Sequence, residues 1–275
     1  MKRPEARRAL VTGASAGIGL AVARRLAARD IEVWMAARGV ERLQAEVEAI
    51  NRAGGGKAHA LPLDVADTEA TVTRLAALDA EVGGIDLVVA NAGLAGARGA
   101  IPLPRCTWAD VRDVLHTNLL GAAATVYPFI APMVQRGHGQ LVGISSISAD
   151  CPIARAAPYG ASKAGLTFFL ESADIELRAL GVDVTIIHPG FVSTPAGDEL
   201  IGTTARPLLV SADQMARVID RAIRRRARLV RNPWIMGFIA RLSAWLPRVV
   251  MRPLIRRTSG ERLSAAAAPR RTLPR

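Results

Sequence analysis

The stretch that most constrains the fold is Thr12-Gly13-Ala14-Ser15-Ala16-Gly17-Ile18-Gly19, set between the apolar run Ala9-Leu10-Val11 and the helical pattern Leu20 to Leu26. A strand that turns through glycines straight into a helix aims backbone N–H groups and the positive helix end at one point, which suits a phosphate. Glycine serves where the backbone must approach a ligand closely or take a positive φ. The residues that follow alternate in the same manner. Short apolar runs at 31–37, 58–63, 85–90, 140–144 and 182–187 read as strands, and 41–51, 68–81, 108–134 and 158–180 read as helices. The long 108–134 helix is expected to break near Pro128 and Pro132. Such alternation specifies an α/β fold, a doubly wound parallel sheet covered on both faces. A chain of 275 residues suits one domain with a large core, and it contains no internal repeat.

A second pattern carries chemistry. Tyr159 and Lys163 stand at i and i+4 in a helical stretch, which stacks both side chains on one face. A tyrosine hydroxyl ionises near ~10, too high for proton exchange at neutral pH, and a neighbouring ammonium is expected to lower that value. Ser146 ends the apolar run 140–144 and can present a hydroxyl to the same carbonyl oxygen, although Ser145 competes for that role.

Taken in order, Thr12 to Gly19, Asn91-Ala92-Gly93, Asn118, Ser146, Tyr159 with Lys163, and Pro189-Gly190 resemble the short-chain dehydrogenases/reductases over about residues 8–231. The resemblance implies a Rossmann fold as a single domain over 1–231 and hydride transfer between nicotinamide C4 and a carbonyl or alcohol carbon. It assigns proton transfer to Tyr159 and carbonyl polarisation to Ser146, the latter on its spacing from Tyr159. Lys163 is assigned both the lowering of the tyrosine pKa and the grip on the nicotinamide ribose. Asn118 is implied to hold a helix irregularity and a water that links Lys163 to solvent. Gly13, Ser15, Gly17, Ile18 and Gly19 would surround the phosphates. Asp64 and Val65 would flank the adenine, Asn91, Ala92 and Gly93 the adjacent ribose, and Pro189, Gly190, Val192 and Thr194 the nicotinamide end.

Cofactor choice falls to the residues after the second strand. An acid there bonds the ribose 2′-hydroxyl of NAD, whereas an arginine holds the 2′-phosphate of NADP. Arg38 occupies the place, so NADP(H) is the expected cofactor ahead of NAD(H), even though Ala16 stands where many NADP-preferring relatives carry a second basic residue. Asp64 also has a plainer reading as a turn residue. Residues 194–210 are expected to form the variable flap over a substrate.

Residues 224–275 contain fourteen arginines and one acid, Glu261, so the chain's formal charge of +12 is concentrated at this end. From Trp234 to Val250 apolar residues at helical spacing interleave with the arginines, and Pro247 divides them. This stretch, 232–263, reads as a basic amphipathic helical extension. It is suited to an anionic membrane surface or, equally, to a lid or dimer contact, and 264–275 reads as a disordered tail. A lipophilic small-molecule substrate and a homo-oligomer are expected. Two other functions stay open: a dinucleotide-binding sensor without turnover, and nucleic-acid binding through the arginines, for which no recognised motif appears. His59, His116, His138 and His188 occur singly and predict no metal site. Two cysteines, Cys106 and Cys151, suit a reducing compartment. With no apolar signal region before the first strand, the expected location is cytoplasmic, peripheral on the inner face of a membrane if the tail binds lipid.

Overall fold

The computed structural model describes residues 5–94, 103–153, 155–193 and 209–235. The chain runs β1 (Arg8–Thr12), α1 (Gly17–Ala27), β2 (Glu32–Ala37), α2 (Val40–Ala53), β3 (Ala58–Pro62), α3 (Thr68–Glu81), β4 (Leu87–Ala90), α4 (Trp108–Leu115), a π-helical turn (His116–Leu120), α5 (Gly121–Arg136), β5 (Gly139–Ile144), α6 (Ala157–Leu177), β6 (Val182–Pro189), β7 (Val192–Ser193), β8 (Val210–Ser211), α7 (Ala212–Arg225) and β9 (Leu229–Asn232). Seven strands form one sheet in the order β3-β2-β1-β4-β5-β6-β9, every pairing parallel. The order reverses between β1 and β4, and in such sheets the crevice at the carboxyl ends of those strands is where ligands bind.

Because the sheet is covered twice, its strands are apolar on both faces. Ala9 and Val11 point into one core layer with Leu26, Met35, Leu43, Met215 and Ile219, beneath α1, α2 and α7. Leu10 points the other way, into a layer with Trp34, Leu75, Leu78, Phe129, Met133, Leu166 and Leu170, beneath α3, α5 and α6. Phe129 and Met133 are fully buried, and truncating either to alanine costs about 2–5 kcal/mol. The helical run 108–136 is long and apolar enough in composition to cross a membrane, yet its stripe Ala122, Val126, Phe129 and Met133 is spent on this layer. Local signals agree with the starts: Asp67 caps α3, and Thr107–Asp110 and Ser211–Gln214 form capping boxes for α4 and α7.

One expectation needs correction. The helix does not break at Pro128 or Pro132, both of which lie inside α5; the irregularity is the π-turn 116–120. The prolines stand four apart on a partly exposed side next to exposed Tyr127, and the helix passes through both. The first arginines of the basic stretch are fold residues. Arg224 and Arg225 end α7, Arg226 and Arg228 pair with Asp183 and Asp174, and Arg231 lies in edge strand β9. From residue 236 onward the basic stretch lies outside the described residues.

Candidate active site

The glycine loop is built by close approach. Gly13 takes φ +65°, and a β-carbon there would lie 2.9 Å from Ala92 Cα; one on Gly19 would lie 2.4 Å from Gly13 O. Asn91 staples the loop from β4, its amide donating to Thr12 O at 3.0 Å and Gly13 O at 3.3 Å, while Thr12 Oγ1 accepts from Asn91 N and Ala92 N. The Asn91 amide nitrogen is thus committed to the loop. Ala16, the residue before α1, makes no side-chain cap, and no acid occupies the first turn, so the positive helix end and the N–H groups of Gly17, Ile18 and Gly19 face the crevice without a built-in anion. A loop with no room for β-carbons and an uncapped helix end fits a dinucleotide pyrophosphate. Ser15 lies in the turn between them.

At the end of β2, Arg38 is exposed and its one carboxylate neighbour among the described residues, Asp64 Oδ2, is 3.9 Å away, which leaves the guanidinium able to meet a phosphate. Asp64 also does the plain turn work, accepting from Ala66 N with Oδ1. Val65 is buried, and its carbonyl would be 2.6 Å from a β-carbon on Gly121, so it locks the start of α5.

On the far side of the switch point, four elements converge. Asn118 is fully buried in the π-turn; its Oδ1 accepts from Leu94 N at 2.6 Å, and its Nδ2 donates to Leu94 O at 3.0 Å and Ser162 Oγ at 3.2 Å. A β-carbon on Gly93 would lie 2.9 Å from Asn118 Oδ1 and 3.6 Å from Lys163 Nζ, so Gly93, Asn118 and Lys163 meet at one point. Ser146 caps the short 3₁₀ turn Ile147–Ala149, and its hydroxyl lies near enough to that of half-buried Tyr159 to lower the tyrosine's pKa in part. Ser145 is engaged elsewhere, donating to Lys163 O at 2.9 Å, so the adjacent serine is the one that faces the tyrosine.

The electrostatics differ from the expectation. Lys163 Nζ turns to Ile144 O at 2.8 Å and lies 5.8 Å from the centre of the Tyr159 ring. Burial lowers the lysine to about 8. Burial also pushes the Tyr159 hydroxyl above its usual value, only partly offset by Ser146. Lysine does not lower tyrosine here, because removal of water disfavours both ionised forms at once. The pair therefore rests with its tyrosine proton in place.

Pro189 closes β6, Gly190 N donates to Asn232 O at 2.7 Å, and Val192 begins the small β7–β8 pair that brackets 194–208. Thr194 and most of the expected flap lie outside the described residues. The sequence reading missed Asp150, His188 and Arg231, which cluster around the fully buried His188 ring behind this crevice. A lone histidine, a loop aspartate and one arginine among fourteen gave no local signal.

A doubly wound nucleotide-binding sheet with a serine, a tyrosine and a buried lysine gathered beside its switch point defines a class of NAD(P)-dependent oxidoreductases. Residues 7–203 match the short chain dehydrogenase family. An uncharacterized oxidoreductase of Myxococcus xanthus is 41% identical over 253 residues, 91% of this chain and 97% of that one. The ketoacyl reductase HetN of Nostoc sp. is 34% identical over 184 residues, 67% of this chain and 63% of that one. The crystal structure of a metagenomic short-chain oxidoreductase in complex with NADP superposes with a TM-score of 0.69 at 30% identity, over 82% of this chain and 96% of that one. The chain belongs to the short-chain dehydrogenase/reductase family, and is an oxidoreductase that acts on CH–OH groups of small molecules with NAD(P).

Proposed function

We propose that the protein reduces a ketone to a secondary alcohol with NADPH in preference to NADH, with Ser146, Tyr159 and Lys163 as the catalytic groups. The observation that carries this reading is the gathering of Tyr159 and the buried Lys163 ammonium, 5.8 Å from the tyrosine ring centre, beside Gly93 and Asn118 at the switch point, with Ser146 on the adjoining turn. Ser146 Oγ and Tyr159 Oη converge on the position where a carbonyl oxygen would sit. Tyr159, raised above its ordinary value, keeps its proton and gives it to that oxygen as negative charge develops, while Ser146 donates to the same oxygen and orients it. Lys163 spends one N–H on Ile144 O and has two left for the ribose hydroxyls beside the nicotinamide. The cofactor supplies the hydride when bound. The loop Gly13–Gly19 with the start of α1 would hold its pyrophosphate, Arg38 the 2′-phosphate, Asp64 and Val65 the adenine, Ala92 and Gly93 the neighbouring ribose, and Pro189, Gly190, Val192 and Thr194 the carboxamide end. Asn118 supports the site by tying Leu94 to α6.

The substrate class we infer is lipophilic, of the 3-ketoacyl or long-chain ketone kind, in keeping with the ketoacyl reductase relative and with the apolar basic stretch that starts at exposed Trp234 and Ile235. That stretch would also hold the enzyme on an anionic membrane surface. Two i, i+7 pairs, Leu120 with Tyr127 and Phe168 with Ile175, put four exposed apolar side chains on stripes of the α5 and α6 region, which supports a homo-oligomer. The decisive experiment measures NADPH oxidation against ketones, aldehydes and 3-ketoacyl compounds of graded length, together with NADPH and NADH dissociation constants for the parent and Arg38→Asp. The parent should favour NADPH and the variant NADH. Equal affinity of the parent for both would dismiss Arg38 as the selector.

A further inference from the structure

Behind the site, a continuous hydrogen-bonded chain runs from the sheet edge to the helix that carries Lys163. Arg231 of β9 grips Asp150 with a two-pronged fork, Nε to Oδ2 at 2.9 Å and Nη2 to Oδ1 at 2.7 Å. Asp150 Oδ2 meets His188 Nδ1 at 2.9 Å, His188 Nε2 meets Thr167 Oγ1 at 3.0 Å, Thr167 Oγ1 meets Ser145 Oγ at 2.8 Å, and Ser145 Oγ meets Lys163 O at 2.9 Å. His188 is wholly buried and pairs in register with Arg231 across β6 and β9.

The proton positions follow from the two ends. Lys163 O only accepts, so the Ser145 hydroxyl donates to it. The 2.8 Å contact between the hydroxyls then takes the Thr167 proton, and Thr167 Oγ1 must receive one from His188 Nε2. At the other end, burial alone would raise the Asp150 carboxyl, but hydrogen bonds and charge from His188 and Arg231 outweigh it and hold the group far below the usual carboxylate range. An ionised carboxylate only accepts, so His188 Nδ1 also carries a proton. Four contacts link Asp150 to Lys163 O, and a neutral ring leaves only three protons to fill them, so one contact would stand without a proton. The other charged groups around the ring are Arg231, Glu171, which acts on Arg231 from α6, and Lys163, whose ammonium points away to Ile144 O.

We propose that His188 is a positioning residue for reduction, doubly protonated between Asp150 and Thr167, and that its charged form keeps the neighbouring catalytic elements in register. The reading rests on the acid–base site described above. Its reach is short, because each member adjoins a functional group: Ser145 precedes Ser146, His188 precedes Pro189-Gly190, Asp150 follows the turn that Ser146 caps, and Lys163 O sits on the backbone of the lysine itself. Loss of the ring proton forces Thr167 to turn its hydroxyl toward His188 and releases Ser145 from Thr167. Reduction should therefore be favoured with both ring nitrogens protonated and fall once the ring loses a proton.

Two measurements on the full-length protein test this. Nitrogen-15 NMR of the histidine rings, with the His188 signals assigned by their loss in His188→Asn, should show both ring nitrogens protonated at about neutral pH. A single neutral tautomer there would overturn the proposal. In steady-state kinetics from about pH 6 to about pH 9, His188→Asn and the isosteric Asp150→Asn should lower kcat about tenfold at the low end. NADPH affinity should stay within about threefold, and the alkaline fall of the parent's kcat should flatten in His188→Asn. Arg231→Lys, which keeps the charge, should restore most of the rate. If the variants lose activity only as their folded fraction falls, with a pH profile that overlays the parent's, the chain is merely structural and the proposal fails. A parent that reduces no carbonyl sinks the acid–base reading and the positioning role together, whereas a neutral His188 in an active enzyme sinks the positioning role alone.

Discussion

Lys163 shows how one buried charge serves a site at a cost to the fold. Its ammonium is almost wholly buried with one backbone partner, and burial lowers it to about 8. A native pKa below the unfolded value means that the unfolded chain binds the proton more tightly, so the charge destabilises the protein below about pH 8. That penalty fades as pH rises toward the ordinary lysine value near ~10.4 and is absent above it. Lys163→Met should therefore melt higher than the parent near pH 7, by roughly 1–2 kcal/mol or a few degrees after the lost bond to Ile144 O is counted. The advantage should shrink steadily to about pH 10, and melting curves at three pH values check it; a constant difference would contradict the burial argument. Tyr159→Phe keeps the ring and removes the proton. It should cut turnover about 10²–10⁴-fold while NADPH titration by fluorescence changes little, and near-parental turnover would exclude Tyr159 as the acid.

At the scale of elements, the strand–loop–helix unit and the π-turn do different kinds of work. The glycine unit was legible from composition alone, since its spacing is a backbone requirement. Gly19→Ala would push a methyl within 2.4 Å of Gly13 O, and it should weaken dinucleotide binding at least tenfold and lower Tm, both read by cofactor-induced thermal shift. Unaltered cofactor stabilisation would show that the loop has slack. The π-turn was expected only as a family feature at Asn118, and it lies there; the break expected at the prolines is what does not occur. Asn118 holds it by answering Leu94 N, Leu94 O and Ser162 Oγ together. Asn118→Ala leaves these groups unanswered, and a loss of about 1–3 kcal/mol is expected in urea unfolding together with a lower kcat. A variant as stable and active as the parent would reduce the turn to an ornament of the helix.

Across the whole molecule, β9 is the element that joins the basic end of the chain to the site. It lies at the sheet edge, its Arg231 reaches Asp150 and its Asn232 O receives Gly190 N. A chain ending at Ile235 keeps all of this and should fold with cofactor affinity near that of the full protein. A chain ending at Arg226 strands Asp150 and His188 in the interior and should lose several kcal/mol, measured by urea unfolding. The chain ending at Ile235 also tests the membrane reading: it should lose sedimentation with anionic liposomes and lose activity on long-chain ketones more than on short ones. If it still binds liposomes, the residues after 235 are not the anchor. Phe168→Glu with Ile175→Glu should shift the oligomer toward monomer in size-exclusion chromatography, and an unchanged elution volume would place the contact elsewhere.

By itself the sequence determined the sheet-and-helix alternation, the glycine loop before α1, and the spacing of Ser146, Tyr159 and Lys163, because these depend on periodicity and backbone geometry within short stretches. Tertiary structure alone decided what the site's charges do. The direction of the Tyr159 and Lys163 shifts depends on how much water the packed helices exclude, and spacing carries no measure of that. Arg231, Asp150 and His188 stand 38 to 81 residues apart, and nothing local marks them as partners. They meet because parallel pairing sets β9 beside β6 in one register, so that an arginine from a basic stretch faces a histidine that had looked solitary.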